Sequence, residues 1–235
     1  MQYYNHEGKI VSYNEEKSTK KIEARTAEIH FFNGYILKKY YGYTDPVNRI
    51  VLDVFEILDR IDDRHLLKVT ELLIRKDRYK EEASLRYNFT NYRIDAYTMP
   101  IIRDDKVDLF DISIEYILEM IEELQNLFKV LSTYHIEVQD LTDENVILQK
   151  NNIVLIDWDR YRISKRDEHD ILINNIDELV TLFYDLLYYK CRNNRECEKI
   201  GKLLSININN SKSLSLRFKD ELKGYKTINE YLHKK

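Results

Sequence analysis

The sequence predicts an α+β protein, with a β-rich first part that carries one helix and a mainly helical second part. Short runs of β-forming residues dominate the first part, and long apolar stripes at helical spacing dominate the second. A pair of apolar runs, 146–148 and 153–156, interrupts the helical part and predicts one hairpin there. These three observations fix the predicted order of the elements.

The first part holds short runs that are typical of strands. They span residues 20–24, 27–32, 35–40, 65–75 and 93–102. Asn33-Gly34 joins the second run to the third with the dipeptide that most often closes a two-residue hairpin. The first three runs therefore predict an antiparallel meander, and the last two extend it to a sheet of about five strands.

One helix is predicted between the third and fourth strands. Asp45 can cap it, Pro46 suits its first turn, and apolar residues recur at helical spacing as far as Ile61. A helix with one apolar stripe has to bury that stripe. We therefore expect it to pack on the sheet.

The second part predicts longer helices. An amphipathic helix is expected from Ser113 to Leu131, capped by Asp111 or Ser113, and a second apolar helix over residues 176–189. Short helices are expected to fill the remainder. The predicted hairpin lies between the two long helices.

Three oxygen-bearing side chains flank the hairpin. Asp140 and Asn145 precede its first strand, and Asp157 follows its second. Because an antiparallel hairpin brings the chain back to the end where it started, we expect these side chains to converge. Carboxylate and amide oxygens suit a hard divalent cation such as Mg²⁺, and the remaining carboxylate can act as a base.

This arrangement resembles the catalytic and metal-binding loops of the protein-kinase-like superfamily, which includes eukaryotic-type protein kinases and aminoglycoside or choline kinases. The resemblance implies that Asp140 accepts the proton of a substrate hydroxyl, that Asn145 holds a metal ion, and that Asp157 bridges Mg²⁺ to the phosphates of ATP. An Asp-x-x-x-x-Asn spacing by itself is usually a solvated turn. Here two β runs and a second aspartate accompany it.

The order of the elements also resembles the bilobal layout of that superfamily over nearly the whole chain. It implies one kinase-like domain with a β-rich N-lobe at about 1–98, a hinge at about 99–104 and a mainly helical C-lobe at about 105–235. Met99, in Tyr97-Thr-Met-Pro100, would then line the slot for adenine. Met99 at a strand end is otherwise a core residue.

The resemblance implies further residues in the first lobe. Tyr35-Ile-Leu-Lys38 ends an apolar triplet with a lysine, as the family's Val-Ala-Ile-Lys does, so Lys38 would orient the α- and β-phosphates. Lys39 would face the other side of the sheet because side chains alternate along a strand. Glu56 is the implied helix partner of Lys38, and Asp53, one turn earlier, competes for that role.

The sequence departs from the family pattern at three places. Residues 24–27, Ala-Arg-Thr-Ala, lack the glycines of a phosphate-covering loop. Val138 stands where the family has a histidine or its substitute. Residues 157–159 read Asp-Trp-Asp in place of Asp-Phe-Gly, and the segment after them is short. Asp159 would add a metal ligand or pair with Arg160 or Arg162.

The sequence therefore predicts an ATP- and Mg²⁺-dependent phosphotransferase that acts on a hydroxyl, with an atypical serine/threonine protein kinase as the leading hypothesis. A pseudokinase that senses nucleotide or binds a protein is the first alternative, because the glycines and the histidine are missing. A small-molecule kinase is the second, because the segment after Asp157 is short. The hydroxyl acceptor stays open among these hypotheses.

Composition argues against other classes of protein. A formal net charge of −4 gives no broad basic field, so nucleic acid is not expected as a partner. Cys191 and Cys197 fit neither a zinc site nor a disulfide framework and are expected to be free thiols in a reducing cytoplasm. No apolar run approaches the length of a membrane span, so no membrane segment is expected.

Overall fold

The computed structural model describes residues 1–42, 51–76, 94–103, 105, 107–150, 152–204 and 214–233. In this part of the chain the protein is α+β, with a seven-stranded antiparallel sheet and six α-helices. The predicted fold class is confirmed at this level. None of the described helices combines the length and the apolarity that crossing a membrane requires.

The chain divides into two compact units. Unit 1 comprises Met1–Ile102 and Asp157–Ile163, and unit 2 comprises Arg103–Ile156 and Ser164–Lys235. The sequence assigned residues 157–163 to the C-lobe, and the structure assigns them to unit 1. The physical reason is that Asp157 ion-pairs with Lys38 of that unit. The hinge at about 99–104 stays a prediction.

Unit 1 contains the seven-stranded sheet. Its strands are β1 (Gln2–Asn5), β2 (Ile10–Ser12), β3 (Lys20–Glu23), β4 (Ala27–Phe31), β5 (Tyr35–Tyr40), β6 (Glu71–Arg75) and β7 (Ala96–Pro100). They lie in the order β2-β1-β6-β7-β5-β4-β3. The predicted meander is confirmed as β3, β4 and β5. The last two predicted runs are shorter than expected, as β6 and β7.

The β1–β2 hairpin lies outside the strands that the sequence predicted. Its turn is fixed locally, because Asn5 Oδ1 accepts hydrogen bonds from the backbone N–H groups of Glu7 (3.2 Å) and Lys9 (2.8 Å). Gly8 supplies the left-handed backbone that this turn needs, with φ of 80°. Strands of four and three residues are too short for an alternating pattern to stand out in the sequence.

The two faces of the sheet differ in character. One face carries an apolar core cluster made of Tyr3, Phe32, Leu37, Leu73 and Ala96, with Val11, Tyr13 and Tyr35 packed against it. The other face carries Lys38, Tyr40 and Tyr97, because Lys38 and Tyr40 are two positions apart on β5 and Tyr97 pairs with Lys38 in register. A polar site is thus built on the side opposite the apolar cluster.

Unit 1 also contains the short strand β11 (Arg162–Ile163). The helix described in unit 1 is α1 (Leu52–Arg60). It confirms the later part of the predicted helix. Asp45 and Pro46, predicted to start that helix, lie outside the described residues. Lys68 donates hydrogen bonds to backbone carbonyls at the end of α1, which satisfies acceptors that a helix terminus leaves open.

Unit 2 contains the remaining described elements. They are α2 (Ile114–Thr133), β8 (Ile136–Glu137), β9 (Val146–Gln149), β10 (Asn152–Leu155), α3 (Glu168–Leu187), α4 (Asn194–Leu204), α5 (Leu214–Glu221) and α6 (Ile228–His233). Ser113 caps α2, since its Oγ accepts a hydrogen bond from the backbone N–H of Tyr116. Of the two predicted caps, Ser113 is therefore the one used.

Helix α3 begins earlier than the sequence predicted. Asp167 caps it by accepting a 2.9 Å hydrogen bond from the backbone N–H of Asp170. Asn174 and Asn175 interrupt the apolar stripe of this helix, which hid its first two turns from a pattern of apolar spacing. Asn175 is nevertheless fully buried, and its role lies in the candidate site.

Candidate functional site

The β9–β10 hairpin is present as predicted. Val146 pairs with Leu155, and the backbone N–H of Ile156 donates a 2.9 Å hydrogen bond to the carbonyl of Asn145. Asn145 therefore lies opposite the residue that precedes Asp157 in the chain. The entrance and the exit of the hairpin are at the same end of the ribbon, as the sequence analysis expected.

The loop before the hairpin is organised around Asp140. Its carbonyl accepts a 2.7 Å hydrogen bond from Asn145 Nδ2 and a 3.1 Å hydrogen bond from the backbone N–H of Thr142. Asp140 has a left-handed backbone, with φ of 61°. That conformation is uncommon for a residue with a side chain and persists where its surroundings enforce it. Asp140 is an exposed residue, so its side chain reaches solvent.

Helix α3 anchors this loop from behind. Asn175 Oδ1 accepts a 2.8 Å hydrogen bond from the backbone N–H of Val138, and its Nδ2 donates to the carbonyl of Ile136. One turn later, Glu178 Oε2 accepts a 3.1 Å hydrogen bond from the backbone N–H of Leu141. Two side chains on one helix face therefore fix the backbone on both sides of Asp140. They support the loop where Val138 offers no polar side chain.

Lys38 lies at the centre of a buried charge cluster in unit 1. It is 4% exposed and sits on β5 between β4 and β7. Its Nζ is 2.6 Å from both carboxylate oxygens of Asp157 and 2.7 Å from Asp159 Oδ2. Each of the three ammonium donors can therefore have an acceptor.

The loop that supplies the two aspartates is itself fixed. Asp157 has a left-handed backbone, with φ of 64° and ψ of 70°, and leads into the 3-10 turn Trp158–Arg160. Trp158 is 2% exposed, so its indole is packed in the interior. Tyr40 donates a hydrogen bond from its hydroxyl to Asp159 Oδ1. The aspartates are thus held by a buried anchor and by side chains of β5.

Burial and neighbouring charges together determine the pKa values of Lys38, Asp157 and Asp159. Burial would raise the pKa of Asp157, but the Lys38 ammonium more than offsets it and holds that pKa below its ordinary value. Burial raises the pKa of Asp159 to about 7, and the charge of Asp157 adds to the rise despite Lys38. Burial would lower the pKa of Lys38, yet the two carboxylates keep it above its ordinary value. Lys38 and Asp157 are therefore ionised at neutral pH, and Asp159 is partly protonated.

The structure brings together some of the predicted site residues. Lys38 and Asp157 are in direct contact in unit 1, and Asp140 and Asn145 are hydrogen-bonded to each other in unit 2. Lys39 ion-pairs elsewhere, with Glu15, as strand alternation requires.

Two further predicted residues are described in unit 1. Glu56 lies partly buried on α1, and its pairing with Lys38 stays a prediction. Met99 lies on β7, is 8% exposed and pairs with Ile36 in register. This position is consistent with a core side chain, and the role of Met99 at an adenine slot stays a prediction.

Sequence reasoning missed two contributors to the Lys38 cluster. Tyr40 lies two positions after Lys38, so the same alternation that selected Lys38 could have placed it on that face. Asp159 was considered as a metal ligand or as a partner of Arg160 or Arg162, and the structure pairs it with Lys38. No local pattern signals that contact, because 121 positions separate the two residues.

Sequence reasoning also missed the anchors of the Asp140 loop. Asn175 and Glu178 interrupt or border the apolar stripe of α3, where polar residues are usually taken as solvent-facing. Their burial follows from the packing of α3 against the loop, so the sequence pattern carries no signal for it.

The two cysteines are free thiols, as expected. Burial raises the pKa of Cys191 to about 12, and the neighbouring Cys197 thiol adds to the rise. A thiol with so high a pKa stays protonated at neutral pH. Cys191 is therefore a poor candidate for a nucleophile.

The chain was compared with protein-family models and with curated proteins. No family model matches the chain, and no curated protein matches its sequence.

Proposed function

We propose that this chain is an ATP- and Mg²⁺-dependent phosphotransferase of the protein-kinase-like type, which transfers a phosphoryl group to a hydroxyl. The observation that carries the proposal is the contact of buried Lys38 with Asp157, the residue that directly follows the hairpin. A fixed ammonium next to a carboxylate suits triphosphate and metal together. The entrance of the same hairpin carries Asp140 and Asn145.

The two side chains that the family resemblance assigns to metal binding are of the types that suit a magnesium ion. Asp157 offers a carboxylate and Asn145 an amide, and oxygen ligands of this kind are those that Mg²⁺ prefers. The Lys38 cluster holds two carboxylates against one ammonium, so it can accept additional positive charge. Asp157 and Asn145 would hold the ion, which when bound supplies charge neutralisation at the transferring phosphoryl group.

Each side chain then has a role in the transfer. Lys38 would orient the phosphates, because its ammonium is fixed and charged. Asp140 would accept the proton of the acceptor hydroxyl, because its carboxylate is on an exposed residue of a loop held by α3. The left-handed backbone of Asp140 and Asp157 supports this assignment, since such conformations concentrate at functional sites.

A pseudokinase is favoured by one specific observation. The turn between β3 and β4 is closed by a 2.9 Å hydrogen bond from the backbone N–H of Ala24 to the carbonyl of Ala27. A tight turn without glycine offers few backbone N–H groups to phosphates. On this second hypothesis the chain binds nucleotide and signals the bound state to a protein partner.

A small acceptor is favoured by the segment after Asp157. Helix α3 begins at Glu168, and the residues between hold a 3-10 turn and the two-residue strand β11. So short a segment leaves little chain for a peptide-docking surface. This short segment therefore supports a small-molecule kinase. The loop residues Asp140 and Asn145, by their resemblance to the catalytic loop of protein kinases, support an atypical protein kinase.

The proposal is tested first by nucleotide binding. Millimolar ATP with MgCl₂ should raise the melting temperature of the purified protein, because a ligand of the native state stabilises it by mass action. EDTA should remove most of the shift. Asp157→Ala should abolish the shift, whereas Asp59→Ala, which changes an exposed carboxylate of the same unit, should keep it. A wild-type protein that shows no shift would contradict the proposal.

The second test is transfer itself. The protein is incubated with γ-labelled ATP and MgCl₂, and label is sought on the chain, on a generic protein substrate, and on sugars and amino alcohols. Label on a protein supports the atypical protein kinase, and label on a small alcohol supports the small-molecule kinase. Nucleotide binding without transfer to any acceptor supports the pseudokinase.

A further inference from the structure

The two carboxylates that hold Lys38 differ in their surroundings. The side chain of Asp157 is 32% exposed, whereas that of Asp159 is 9% exposed. Asp157 uses both of its oxygens on Lys38, and Asp159 uses only Oδ2. One partner of the lysine is therefore accessible to a ligand, and the other is enclosed by protein.

Asp159 is clamped by a single strand. Its Oδ2 accepts from Lys38, and its Oδ1 accepts from the hydroxyl of Tyr40, which lies two positions further along β5 on the same face. The rings of Tyr40 and Tyr97 each lie 5.6 Å from the Lys38 ammonium. The carboxylate, the ammonium and the phenol hydroxyl thus form one buried unit whose geometry β5 determines.

Charge balance does not require this second carboxylate. Asp157 by itself balances the charge of Lys38, and each further buried carboxylate costs desolvation free energy that attraction to one shared ammonium only partly returns. A buried group that adds little net stability is a candidate for a role in function.

We propose that Asp159, braced by Tyr40, is the residue that positions Lys38 for the phosphates. This inference rests on the proposed function, in which Asp157 serves the metal ion and its contact with Lys38 has to loosen. Asp159 does not bind the metal ion in this scheme, so it keeps the Lys38 ammonium in place when nucleotide binds. It takes the role that the family resemblance gave to Glu56.

A nucleotide site in which Asp159 anchors Lys38 is regulated differently from one in which a glutamate on helix α1 anchors it. The loop that carries Asp157 also carries Asp159, so one short segment supplies both the metal ligand and the lysine anchor. Movement of α1 would leave Lys38 in place. The nucleotide site is therefore formed whenever residues 157–160 are seated on β5, without a signal through α1.

The experiment compares Asp159→Asn, Tyr40→Phe and Glu56→Gln with Asp59→Asn as the control. Calorimetry measures the affinity of each protein for ATP with MgCl₂ and, separately, for AMP. Asp159→Asn should weaken ATP binding about tenfold or more, because it loses a charge-assisted hydrogen bond, and Tyr40→Phe should weaken it by less. AMP lacks the β- and γ-phosphates, so its affinity should change little in Asp159→Asn, whereas a damaged fold would weaken both ligands.

A second measurement does not depend on nucleotide. In protein labelled with ¹⁵N-lysine, the Lys38 ammonium signal is identified by its loss in Lys38→Arg. Asp159→Asn should shift this signal and speed its hydrogen exchange with water, because a buried acceptor has lost its charge.

The outcomes separate the inference from the proposed function. ATP affinity that falls in Glu56→Gln at least as far as in Asp159→Asn overturns the inference, and so does wild-type affinity in Asp159→Asn. In both of these cases the proposed function stands, because the wild-type protein binds ATP. A wild-type protein that binds no ATP at millimolar concentration overturns the proposed function and the inference together.

Discussion

Lys38 and Lys39 are neighbours on β5, and each pairs with two carboxylates, but they do so on opposite faces of the sheet. The partners of Lys38 are Asp157 and Asp159, which lie far along the chain on a separate loop. Those of Lys39 are Glu15 at 2.8 Å and Glu28 at 3.4 Å, which lie close to it in the sequence. The same residue type thus joins a distant loop to the sheet on one face and neighbouring elements on the other.

Burial makes these two lysines energetically different. The Lys38 side chain is 5% exposed and that of Lys39 is 20% exposed. A charge enclosed by protein is screened little by water or salt, so losing its partner is costly. A charge that reaches water keeps part of its hydration, so losing its partner costs less. The face of Lys38 can therefore hold a chemically useful charge arrangement.

The Lys39 face also holds a group of potential metal ligands. Ligating atoms of Glu15, Glu28 and His30 lie within 4.8 Å of one another. The Lys39 ammonium already contacts both glutamates, and Lys21 lies 2.8 Å from Glu28. Lysine ammonium groups of the protein itself thus balance the charges of Glu15 and Glu28.

The largest expected effect is the contrast between Lys38→Met and Lys39→Met. Removal of Lys38 leaves the enclosed Asp159 and the partly buried Asp157 without their counter-charge and should lower the free energy of unfolding by about 3–5 kcal/mol. Removal of Lys39 should cost at most about 1 kcal/mol. Urea unfolding followed by circular dichroism at pH 7.5 measures both; equal losses in the two variants would contradict the contrast between the faces.

The same kind of contrast exists in unit 2, between Asn174 and Asn175 on α3. Asn175 is fully buried and bonds the backbone around Val138, whereas Asn174 Nδ2 donates to Glu137 Oε1 nearer the surface. Asn175→Ala leaves buried backbone groups unsatisfied, so it should lower the free energy of unfolding by about 3 kcal/mol. Asn174→Ala should cost about 1 kcal/mol.

Urea unfolding of the two asparagine variants provides the measurement. Hydrogen exchange at Val138 reports on the loop directly, since its backbone N–H loses its acceptor only in Asn175→Ala. Unchanged protection of that N–H in Asn175→Ala would show that α3 does not anchor the Asp140 loop.

These neighbouring pairs also show what the sequence could predict. Alternation along β5 was enough to separate Lys38 from Lys39, and the loop–hairpin–loop pattern was enough to bring Asn145 next to the exit of the hairpin. Both inferences rest on local geometry, which a short stretch of sequence determines. The same holds for the cap of α2 at Ser113.

The contacts that local geometry does not determine were missed. Asp159 and Lys38 meet only after the chain folds, and Asn175 is buried by the packing of α3 against residues more than thirty positions away. The β1–β2 hairpin depends on bonds from one side chain, Asn5, to its own turn. Tertiary packing and single side-chain bonds leave little trace in apolar periodicity.

Asp140→Asn tests the chemistry that the loop in unit 2 is proposed to supply. The variant keeps the size of the side chain but removes the base, so phosphoryl transfer should fall about a hundredfold or more. The melting temperature and the affinity for ATP should change little. Asp143→Asn, an exposed change in the same loop, should keep wild-type transfer.

Single-turnover transfer with the acceptor found for the wild-type protein measures both aspartate variants. Full transfer by Asp140→Asn would rule out Asp140 as the base. A large loss of stability in that variant would instead identify Asp140 as a structural residue of the loop.

The smallest expected effect is on the Lys39 face and depends on pH. Glu28 has a pKa lowered to about 2, chiefly by the hydrogen bond from Lys21, against an ordinary value of 4.5. A carboxyl group with a depressed folded pKa stabilises the protein above its unfolded pKa, and this contribution is lost as pH falls through the folded value. The difference in unfolding free energy between wild type and Glu28→Gln should therefore be present at pH 6 and shrink between about pH 4.5 and pH 2.

The size of that difference separates the water-accessible Glu28 network from the buried Lys38 cluster. Because Glu28 and its lysine partners reach water, the difference should stay below about 1 kcal/mol and should shrink further in 1 M NaCl. The loss caused by Lys38→Met should keep most of its size in the same salt, since the Lys38 ammonium and Asp159 are enclosed by protein. Urea unfolding at two pH values and two salt concentrations measures both; a salt-independent contribution from Glu28 would mean that its network is shielded from water in the way the Lys38 cluster is.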